Sequence, residues 1–299
     1  MAWGCFSWIP CPYKGWHEES RTAMVAMLPL VGTGLGLVTC LIWIAVSMLM
    51  PGGAGIAQPI LTGAIVTAVY FLMTGFIHLD GFMDVADAVM PRHPKMEERI
   101  RILKDPHTGS FAAISMALMF LLFMASASAL SAPFGLWQAL TFIVIVTTSR
   151  AMSAAQVIGC RPMGTSQYVN SGFGSEGSRR KAAPALVILV LVLAAAVVVL
   201  LTVGGGHGGI HAEIPAHHAE TPMHHGEMPG HHDGMPLLMG GGPIQVAILL
   251  IVTAVTALTG LIIGHIDRKA LGGMNGDISG HLITSSEMAG MLAAALLMA

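Results

Sequence analysis

The chain has 299 residues, of which 54% are hydrophobic and only 10% are charged, and its mean hydropathy is +0.72. Ordinary soluble domains carry about 25% charged residues, so this composition excludes such a domain and predicts an integral protein of a lipid bilayer. The formal net charge of −2 gives no basic surface of the kind that binds nucleic acid, and no nucleic-acid partner is expected.

Seven apolar runs divide the chain, and each is close to the ~20 residues that a helix needs to span a membrane. They predict an all-α fold, a polytopic helix bundle of about seven transmembrane helices that forms one domain over residues 1–299. Arg150 closes the fourth run early, and the seventh contains one ionisable residue, Glu287. The runs cover residues 23–50, 60–77, 111–130, 133–149, 182–203, 244–264 and 282–299.

The basic residues predict how these helices are oriented. All fourteen Lys and Arg residues lie in the N-terminal segment or in one of three connections, whereas the alternate connections contain none. Because cytoplasmic loops are enriched in Lys and Arg, the N-terminus and the basic connections are expected in the cytoplasm, and the C-terminus outside. The basic connections are 78–110, 150–181 and 265–281, and the alternate ones are 51–59, 131–137 and 204–243.

Three aspartates follow the second apolar run. Asp80, Asp84 and Asp87 are spaced i, i+4 and i+7, so they share one face if this segment is a helix. Three like charges on one face repel one another unless a cation lies between them, and Mg²⁺ commonly bridges such carboxylates to substrate phosphates. The pattern predicts a Mg²⁺ site in a cytoplasmic catalytic loop over 78–110. A solvated helix face is the alternative interpretation.

Basic residues and glycines lie on the same predicted side of the membrane as the three aspartates. Arg and Lys bind phosphate oxygens, and glycines let backbone N–H groups approach an anion. Together these residue types predict metal-assisted handling of a phosphate ester in the cell (inner) membrane, with the active site facing the cytoplasm. The alternatives are surface anchoring for the basic residues, snorkelling for Arg150 and a mere tight turn for the glycines. The candidates are Arg99, Lys104, Asp105, Arg150, Gly272, Gly273, Gly276 and Asp277, the last four in a cytoplasmic glycine-rich loop over 265–281.

The outward connection 204–243 is a histidine-rich, low-complexity segment. It holds eight of the fourteen histidines and a tandem heptapeptide in which a proline every seventh residue forbids a continuous helix. Neutral imidazole suits Co²⁺, Ni²⁺, Cu²⁺ or Zn²⁺ rather than Mg²⁺. Two hypotheses stay open, namely transition-metal binding by the tract 207–232 and a tolerated insertion without a role in catalysis.

Four blocks that run through most of the chain resemble the cobalamin (5′-phosphate) synthase family, also called adenosylcobinamide-GDP ribazoletransferases. The blocks are Phe6-Ser-Trp-Ile-Pro10-Cys-Pro12 with Trp16; Pro29-Leu-Val-Gly32-Thr-Gly-Leu-Gly36; His78-Leu-Asp80-Gly81-Phe-Met-Asp84-Val-Ala-Asp87-Ala88 with Arg99, Leu103-Lys104-Asp105 and Gly109-Ser-Phe111; and Leu271-Gly272-Gly273-Met-Asn275-Gly276-Asp277-Ile-Ser-Gly280 with Glu287. A weaker fifth match comprises Ser149-Arg150 and Arg161-Pro-Met-Gly164. Two features depart from the pattern: Asn275 stands where a threonine is expected, and the insertion 204–243 is not a family feature.

The resemblance implies an enzyme of the nucleotide-loop assembly step of cobalamin biosynthesis. Members of the family join adenosylcobinamide-GDP to α-ribazole or α-ribazole 5′-phosphate, form adenosylcobalamin or its 5′-phosphate, release GMP and need Mg²⁺. A ribose hydroxyl attacks the phosphate next to the cobinamide arm. The choice of acceptor, the lower-ligand base, the number of Mg²⁺ ions and homo-oligomerisation stay open.

The resemblance also implies roles for individual residues. Asp80, Asp84 and Asp87 would hold one or two Mg²⁺ ions against the pyrophosphate, and His78 would orient a carboxylate or act as a base toward the ribazole hydroxyl. The remaining roles are phosphate neutralisation by Arg99, Lys104 and Arg150, metal or hydroxyl binding by Asp105 and Asp277, and approach to the nucleotide by the Gly272–Gly276 turn.

Two other classes of membrane protein compete with this interpretation. The histidine-rich connection favours a divalent-metal transporter, but such a protein places ionisable groups in the middle of several spans, and these runs are nearly free of them. Another Asp- and Mg²⁺-dependent membrane transferase would use similar chemistry. The CDP-alcohol phosphotransferase pattern fails at Ala88, and a prenyltransferase would need a second paired-aspartate motif.

Overall fold

The structure, a computed structural model, describes residues 1–11, 15, 17–49, 55–132, 134–166, 168–175, 177–204 and 242–298. Over these residues it contains α-helices and a 3₁₀ helix at Glu18–Ser20 but no strand, so the all-α prediction is confirmed. The helices are α1 (Ala2–Phe6), α2 (Arg21–Ala26), α3 (Leu28–Leu49), α4 (Ala57–Met73), α5 (Ile77–Val89), α6 (Met96–Leu103), α7 (Ser110–Ala129), α8 (Leu136–Gly159), α9 (Ser178–Lys181), α10 (Ala183–Gly204), α11 (Gly242–Leu271) and α12 (Gly276–Met298). Outside the described residues lie the histidine-rich tract 207–232, Pro12, Lys14 and Trp16.

The described helices are those of a multi-pass membrane protein. By length and composition, six of them are able to cross a membrane, and the bent pair of α4 and α5 makes a seventh if it counts as one span. The predicted bundle of about seven spans is therefore confirmed. The six helices are α3, α7, α8, α10, α11 and α12. Their orientation across the membrane stays a prediction.

A bend of 91° separates α5 from α4. In the turn between them, Gly75 and Phe76 have positive φ angles of 63° and 59°, a left-handed conformation that costs glycine little and phenylalanine more. The 13 residues of α5 are about 20 Å long, which is too short to cross a bilayer alone. The turn therefore directs the three aspartates of α5 sideways rather than along the axis of α4.

The predicted connections contain more helix than the sequence indicated. The expected loop 78–110 holds α5 and α6, and the expected loop 265–281 is helical except at 272–275. The fourth run does not end at Arg150, since α8 continues to Gly159. Charged residues interrupt a hydropathy pattern at these places, but the backbone hydrogen bonds of a helix continue wherever the charged side chains find partners.

The helix α8 lies at the centre of the bundle, where α3, α10, α11 and α12 pack against it. Every residue from 141 to 154 is buried. On its flank, α10 and α11 meet closely at the ends that border the histidine-rich connection. A Cβ atom added to Gly242 at the start of α11 would lie 3.2 Å from the carbonyl oxygen of Leu200 in α10.

Candidate active site

The three aspartates of α5 lie on its less buried face, as their spacing predicted. The opposite face is buried and includes His78, Gly81 and Phe82. Asp80 is exposed, and Asp84 and Asp87 are half-buried. We name Asp80, Asp84 and Asp87 the aspartate face. The shared helix face is confirmed, whereas Mg²⁺ binding by it stays a prediction.

A close crossing of α5 and α12 adds a fourth carboxylate to this region. A Cβ atom on Gly81 would lie 2.8 Å from the Cα atom of Asp277, and one on Gly280 would lie 2.7 Å from the carbonyl oxygen of His78. Only glycines allow the two backbones to approach so closely. As a result, Asp277 in the first turn of α12 is close enough to Asp80 and Asp84 for their charges to repel.

These like charges have no cation partner in the part of the chain that the structure describes. The ion pairs found there leave out Asp80, Asp84 and Asp277. The described His, Cys, Asp and Glu residues also form no group of three or more that is arranged to hold a metal ion. Mg²⁺ is commonly bound by one or two carboxylates together with water and substrate phosphates, and uncompensated carboxylate oxygens are the donors that it prefers. The donor set therefore fits a Mg²⁺ ion shared with a substrate rather than one enclosed by protein.

Asp87 differs from its two neighbours on the aspartate face. Its carboxylate accepts a hydrogen bond from the backbone N–H of Gly109 at 2.6 Å and another from the N–H of Ala112 at 2.9 Å. These N–H groups belong to the start of α7 and have no partner within that helix. Asp87 thus caps the start of α7 from another helix, and its negative charge suits the positive end of the helix dipole.

The glycine-rich turn is held by backbone contacts to the segment after α8. The N–H of Met163 donates to the carbonyl of Met274, and the N–H of Met274 donates to the carbonyl of Arg161, each at 2.9 Å. Gly272 has a φ of 81°, and a Cβ atom on Gly273 would lie 2.5 Å from the nitrogen of Met163. Glycine is required at both positions, so the turn is a specific junction between two segments.

Asn275 caps α12. Its Oδ1 accepts the N–H of Ile278 at 2.9 Å, and its Nδ2 donates to Oδ2 of Asp277 at 2.7 Å. Asparagine is as good an N-cap residue as threonine, so the departure from the expected threonine keeps the helix start intact. The side-chain amide also holds the Asp277 carboxylate in place beside α5.

An open pocket of about 240 Å³ lies at the start of α12. We name it the α12 pocket. It gathers three residues that the sequence predicted, Lys104, Gly276 and Asp277, although they come from distant parts of the chain. Its lining is Leu103, Lys104, Met163, Thr165, Ser166, Asn275, Gly276 and Asp277.

Arg150 does not reach the aspartate face. It is fully buried in the middle of α8 and forms an ion pair with Glu287 of α12. Glu287 also accepts hydrogen bonds from Ser149 at 2.7 Å and from the hydroxyl of Tyr70 at 2.8 Å. In the structure this side chain joins α8, α12 and α4 inside the bundle, and its predicted binding of a substrate phosphate stays a prediction.

Arg99 has its partners away from the aspartate face, and His78 lies on the opposite, buried side of α5. Arg99 donates to the carbonyl oxygens of His93 at 2.7 Å and Ala270 at 3.2 Å, so it ties α6 to the end of α11. His78 is only 6% exposed, on the side of α5 that faces α12. To act as the predicted base, His78 would have to contact the substrate from its buried position.

Asp105 lies in the exposed turn after α6, apart from the other carboxylates. It accepts the backbone N–H of His107 at 3.0 Å and contacts the His107 ring at 2.7 Å. These hydrogen bonds, the backbone one first, hold the pKa of Asp105 below its ordinary value. Its partner in the structure is thus a neighbouring histidine, and its predicted part in metal or hydroxyl binding stays a prediction.

Sequence reasoning missed several residues that the structure brings to this region. Thr165 and Ser166 line the α12 pocket because their segment is bonded to the glycine-rich turn. Asp267, which is buried in α11, contacts Nδ1 of His281 in α12 at 2.7 Å. The signal for Thr165 and Ser166 was the weak match Arg161-Pro-Met-Gly164 directly before them.

Comparisons with known proteins give this arrangement a context. A family model described as cobalamin-5-phosphate synthase matches residues 1–295. A protein of Clostridium botulinum (strain Eklund 17B / Type B) named adenosylcobinamide-GDP ribazoletransferase is 38% identical over 120 residues, which are 40% of this chain and 45% of that protein. Proteins of the same name from Lachnoclostridium phytofermentans and Shewanella denitrificans are 35% and 32% identical, over 53% and 54% of this chain and 56% and 59% of theirs. The chain thus spans about half the length of the curated relatives it matches, and no solved structure matches it.

Proposed function

Since the chain belongs to the cobalamin-5-phosphate synthase family, we propose that it is a Mg²⁺-dependent membrane transferase that joins adenosylcobinamide-GDP to α-ribazole or α-ribazole 5′-phosphate. The observation that carries the proposal is the convergence of Asp80, Asp84 and Asp277, whose charges have no cation partner among the described residues, beside the α12 pocket. The relatives' printed name describes this same transfer.

The proposed reaction is a displacement at phosphorus. A hydroxyl oxygen of the ribazole forms a bond to the phosphorus next to the cobinamide arm. The bond from that phosphorus to the oxygen it shares with the second phosphate breaks, GMP leaves with the electron pair, and the proton of the attacking hydroxyl passes to a nearby base or to water. Little covalent chemistry falls to the protein in such a step, so positioning and charge neutralisation carry the rate.

In this proposal the carboxylates and the lysine have separate roles. Asp80, Asp84 and Asp277 would hold Mg²⁺, which when bound neutralises charge on the phosphate oxygens. Lys104 would neutralise further oxygens. Asp277 is also placed to orient the attacking hydroxyl, because one of its oxygens is fixed by Asn275 and it borders the pocket. Asp87 would position α5 through its bonds to α7.

We further propose that the site faces the cytoplasm from the cell (inner) membrane. The support is the sequence pattern, in which every Lys and Arg lies in the N-terminal segment or in the three connections that carry the candidate residues. A nucleotide-bearing donor such as adenosylcobinamide-GDP is also consistent with a cytoplasmic site, since it is too polar to cross a bilayer unaided.

The test is a turnover assay on the purified full chain in lipid nanodiscs with adenosylcobinamide-GDP, α-ribazole 5′-phosphate and Mg²⁺. Wild type is expected to release GMP and form the joined corrinoid, and Asp84→Asn to lose at least about 100-fold in turnover because its charge is needed in the transition state. Glu97→Gln, an exposed acid in α6, is the matched control and should remain active. A folded wild type without product would refute the function, and near-normal turnover of Asp84→Asn would refute the metal site.

A further inference from the structure

The proposed Mg²⁺ site does not account for several residues that line the α12 pocket. Lys104 comes from the end of α6, Thr165 and Ser166 come from the segment after α8, and Gly276 begins α12. These residues supply a cation, two hydroxyl groups and the positive end of a 23-residue helix. These groups favour an anion, although one carboxylate, that of Asp277, also lines the pocket.

Three donors that line this pocket, on Lys104, Thr165 and Ser166, are unused within the described part of the protein. Lys104 takes part in none of its ion pairs, and the hydroxyl of Thr165 in none of its hydrogen bonds. The oxygen of Ser166 accepts the N–H of Tyr168 at 3.2 Å, which leaves its own O–H free to donate. Lys104 and Thr165 are exposed and Ser166 is half-buried, so these donors from two chain segments are available to a ligand in the cavity.

The size of the pocket limits what it can hold. Sites that enclose a drug-sized ligand measure about 300–1,000 Å³, whereas this pocket measures about 240 Å³ and is open on one side. A complete adenosylcobinamide-GDP molecule is far too large for it. A phosphate group with part of its sugar is a suitable occupant, and Asp277 belongs to the lining, so that phosphate would lie next to the aspartates.

We propose that the α12 pocket is a phosphate subsite in which Lys104, Thr165 and Ser166 bind one phosphate group of a nucleotide substrate. Thr165 and Ser166 are thereby specificity-determining residues, and this subsite rests on the proposed transferase function. Two substrates offer the same chemistry, since the acceptor carries a 5′-phosphate in one of its forms and the donor carries a guanosine phosphate arm.

The test measures binding by isothermal titration to the full chain in nanodiscs, with α-ribazole 5′-phosphate, α-ribazole and GMP as separate probes. Lys104→Met and the double variant Thr165→Val with Ser166→Ala remove the donors. Their controls are Lys95→Met and Thr108→Val, which change exposed residues outside the pocket. Losing hydrogen bonds to a charged phosphate should raise the dissociation constant roughly tenfold or more.

The probes distinguish the two sources of the phosphate. If the pocket binds the acceptor, the variants weaken α-ribazole 5′-phosphate but leave α-ribazole and GMP unchanged. If it binds the donor arm, they weaken GMP alone, and either result supports the subsite. If a probe binds wild type and its dissociation constant is the same in the variants, the subsite is refuted but the proposed function is not. A folded wild type that binds none of the three probes would overturn both.

Discussion

The carboxylate of Asp87 stabilises a neighbouring helix by satisfying two backbone N–H groups at its start. A charged acceptor stabilises the start of α7 more than a neutral one, because its hydrogen bonds are charge-assisted and its charge interacts favourably with the helix dipole. The residue therefore fixes the angle between α5 and α7, and with it the direction in which Asp80 and Asp84 project. Its contribution to activity is expected to pass through position rather than through direct contact with the metal.

Substitution of Asp87 is expected to separate these two roles. Asp87→Asn keeps one of the two acceptor oxygens that cap α7, so it should retain much of its activity and an unchanged Mg²⁺ half-saturation. Asp87→Ala removes the cap and should lower the free energy of unfolding by about 0.5–2 kcal/mol. Thermal unfolding and Mg²⁺ titration of turnover measure both. An Asn variant with normal unfolding but a much higher Mg²⁺ requirement would identify Asp87 as a metal ligand instead.

The buried ion pair of Arg150 and Glu287 is expected to stabilise the bundle rather than to position the aspartate face. Both side chains are almost completely removed from solvent, so each charge depends on the other and on Ser149 and Tyr70. Glu287→Gln should destabilise the protein by about 3–5 kcal/mol, because it leaves an unpaired buried charge. The double variant Arg150→Met with Glu287→Met should recover much of that loss.

The surface pair Arg101–Glu98 supplies the control for this prediction. Its side chains are 79% and 46% exposed, so Glu98→Gln should change the free energy of unfolding by no more than about 1 kcal/mol. Thermal unfolding in the same detergent compares all the variants. If Glu287→Gln unfolds at the wild-type temperature, the buried pair does not hold the helices together.

At the level of single residues, the spacing of charged residues predicted which helix face they share, but the sequence did not predict which side chains pair with each other. The i, i+4, i+7 spacing located Asp80, Asp84 and Asp87 on one face because helix geometry converts spacing directly into direction. The same sequence could not show that Arg150 meets Glu287, since the two are 137 positions apart and hydropathy contains no information on pairing. Lys104 and Asp277 were both predicted as candidate site residues, but only the fold shows the pocket that they share.

The crossing of α5 and α12 depends on glycine at two positions. Gly81→Ala would place a methyl group 2.8 Å from the backbone of Asp277, so the helices would have to separate. Overpacking of this kind costs about 1–3 kcal/mol, and the displaced Asp277 should also reduce turnover. Thermal unfolding and turnover at saturating substrate are the measurements. Gly4→Ala in α1 is the control, because its methyl group would meet Cys11 at an ordinary 3.7 Å; equal behaviour of the two variants would contradict the prediction.

The presence of a membrane-spanning helix was easier to predict than the residue at which it ends or the direction in which it runs. Apolar runs of spanning length predicted the number of membrane spans, because the bilayer sets that length. The bend before α5 could not be predicted, since it depends on the φ angles of Gly75 and Phe76 and not on hydropathy. The continuation of α8 beyond Arg150 was hidden for a related reason, namely that a buried ion pair keeps a charged residue inside a helix.

For the molecule as a whole, the histidine-rich connection is expected to be separable from catalysis. The candidate site residues are predicted on one side of the membrane and this connection on the other. Its bordering helices already meet where Gly242 contacts α10. Deletion of 207–234 leaves residues 205, 206 and 235–241 to join them, and turnover should stay within about twofold of wild type, since surface loops tolerate changes in length well. Loss of turnover in a well-inserted deletion variant would refute this separation.

The contact between α10 and the start of α11 has a practical consequence. Helix α10 ends at Gly204 and α11 begins at Gly242, and the start of α11 lies against the last turns of α10. The molecule is therefore divisible into two polypeptides, one carrying the aspartate face and the other carrying Asp277. Neither fragment alone holds the complete set of carboxylates. Co-expression of the two fragments offers a complementation system in which enzyme activity itself reports whether α12 has docked onto α5.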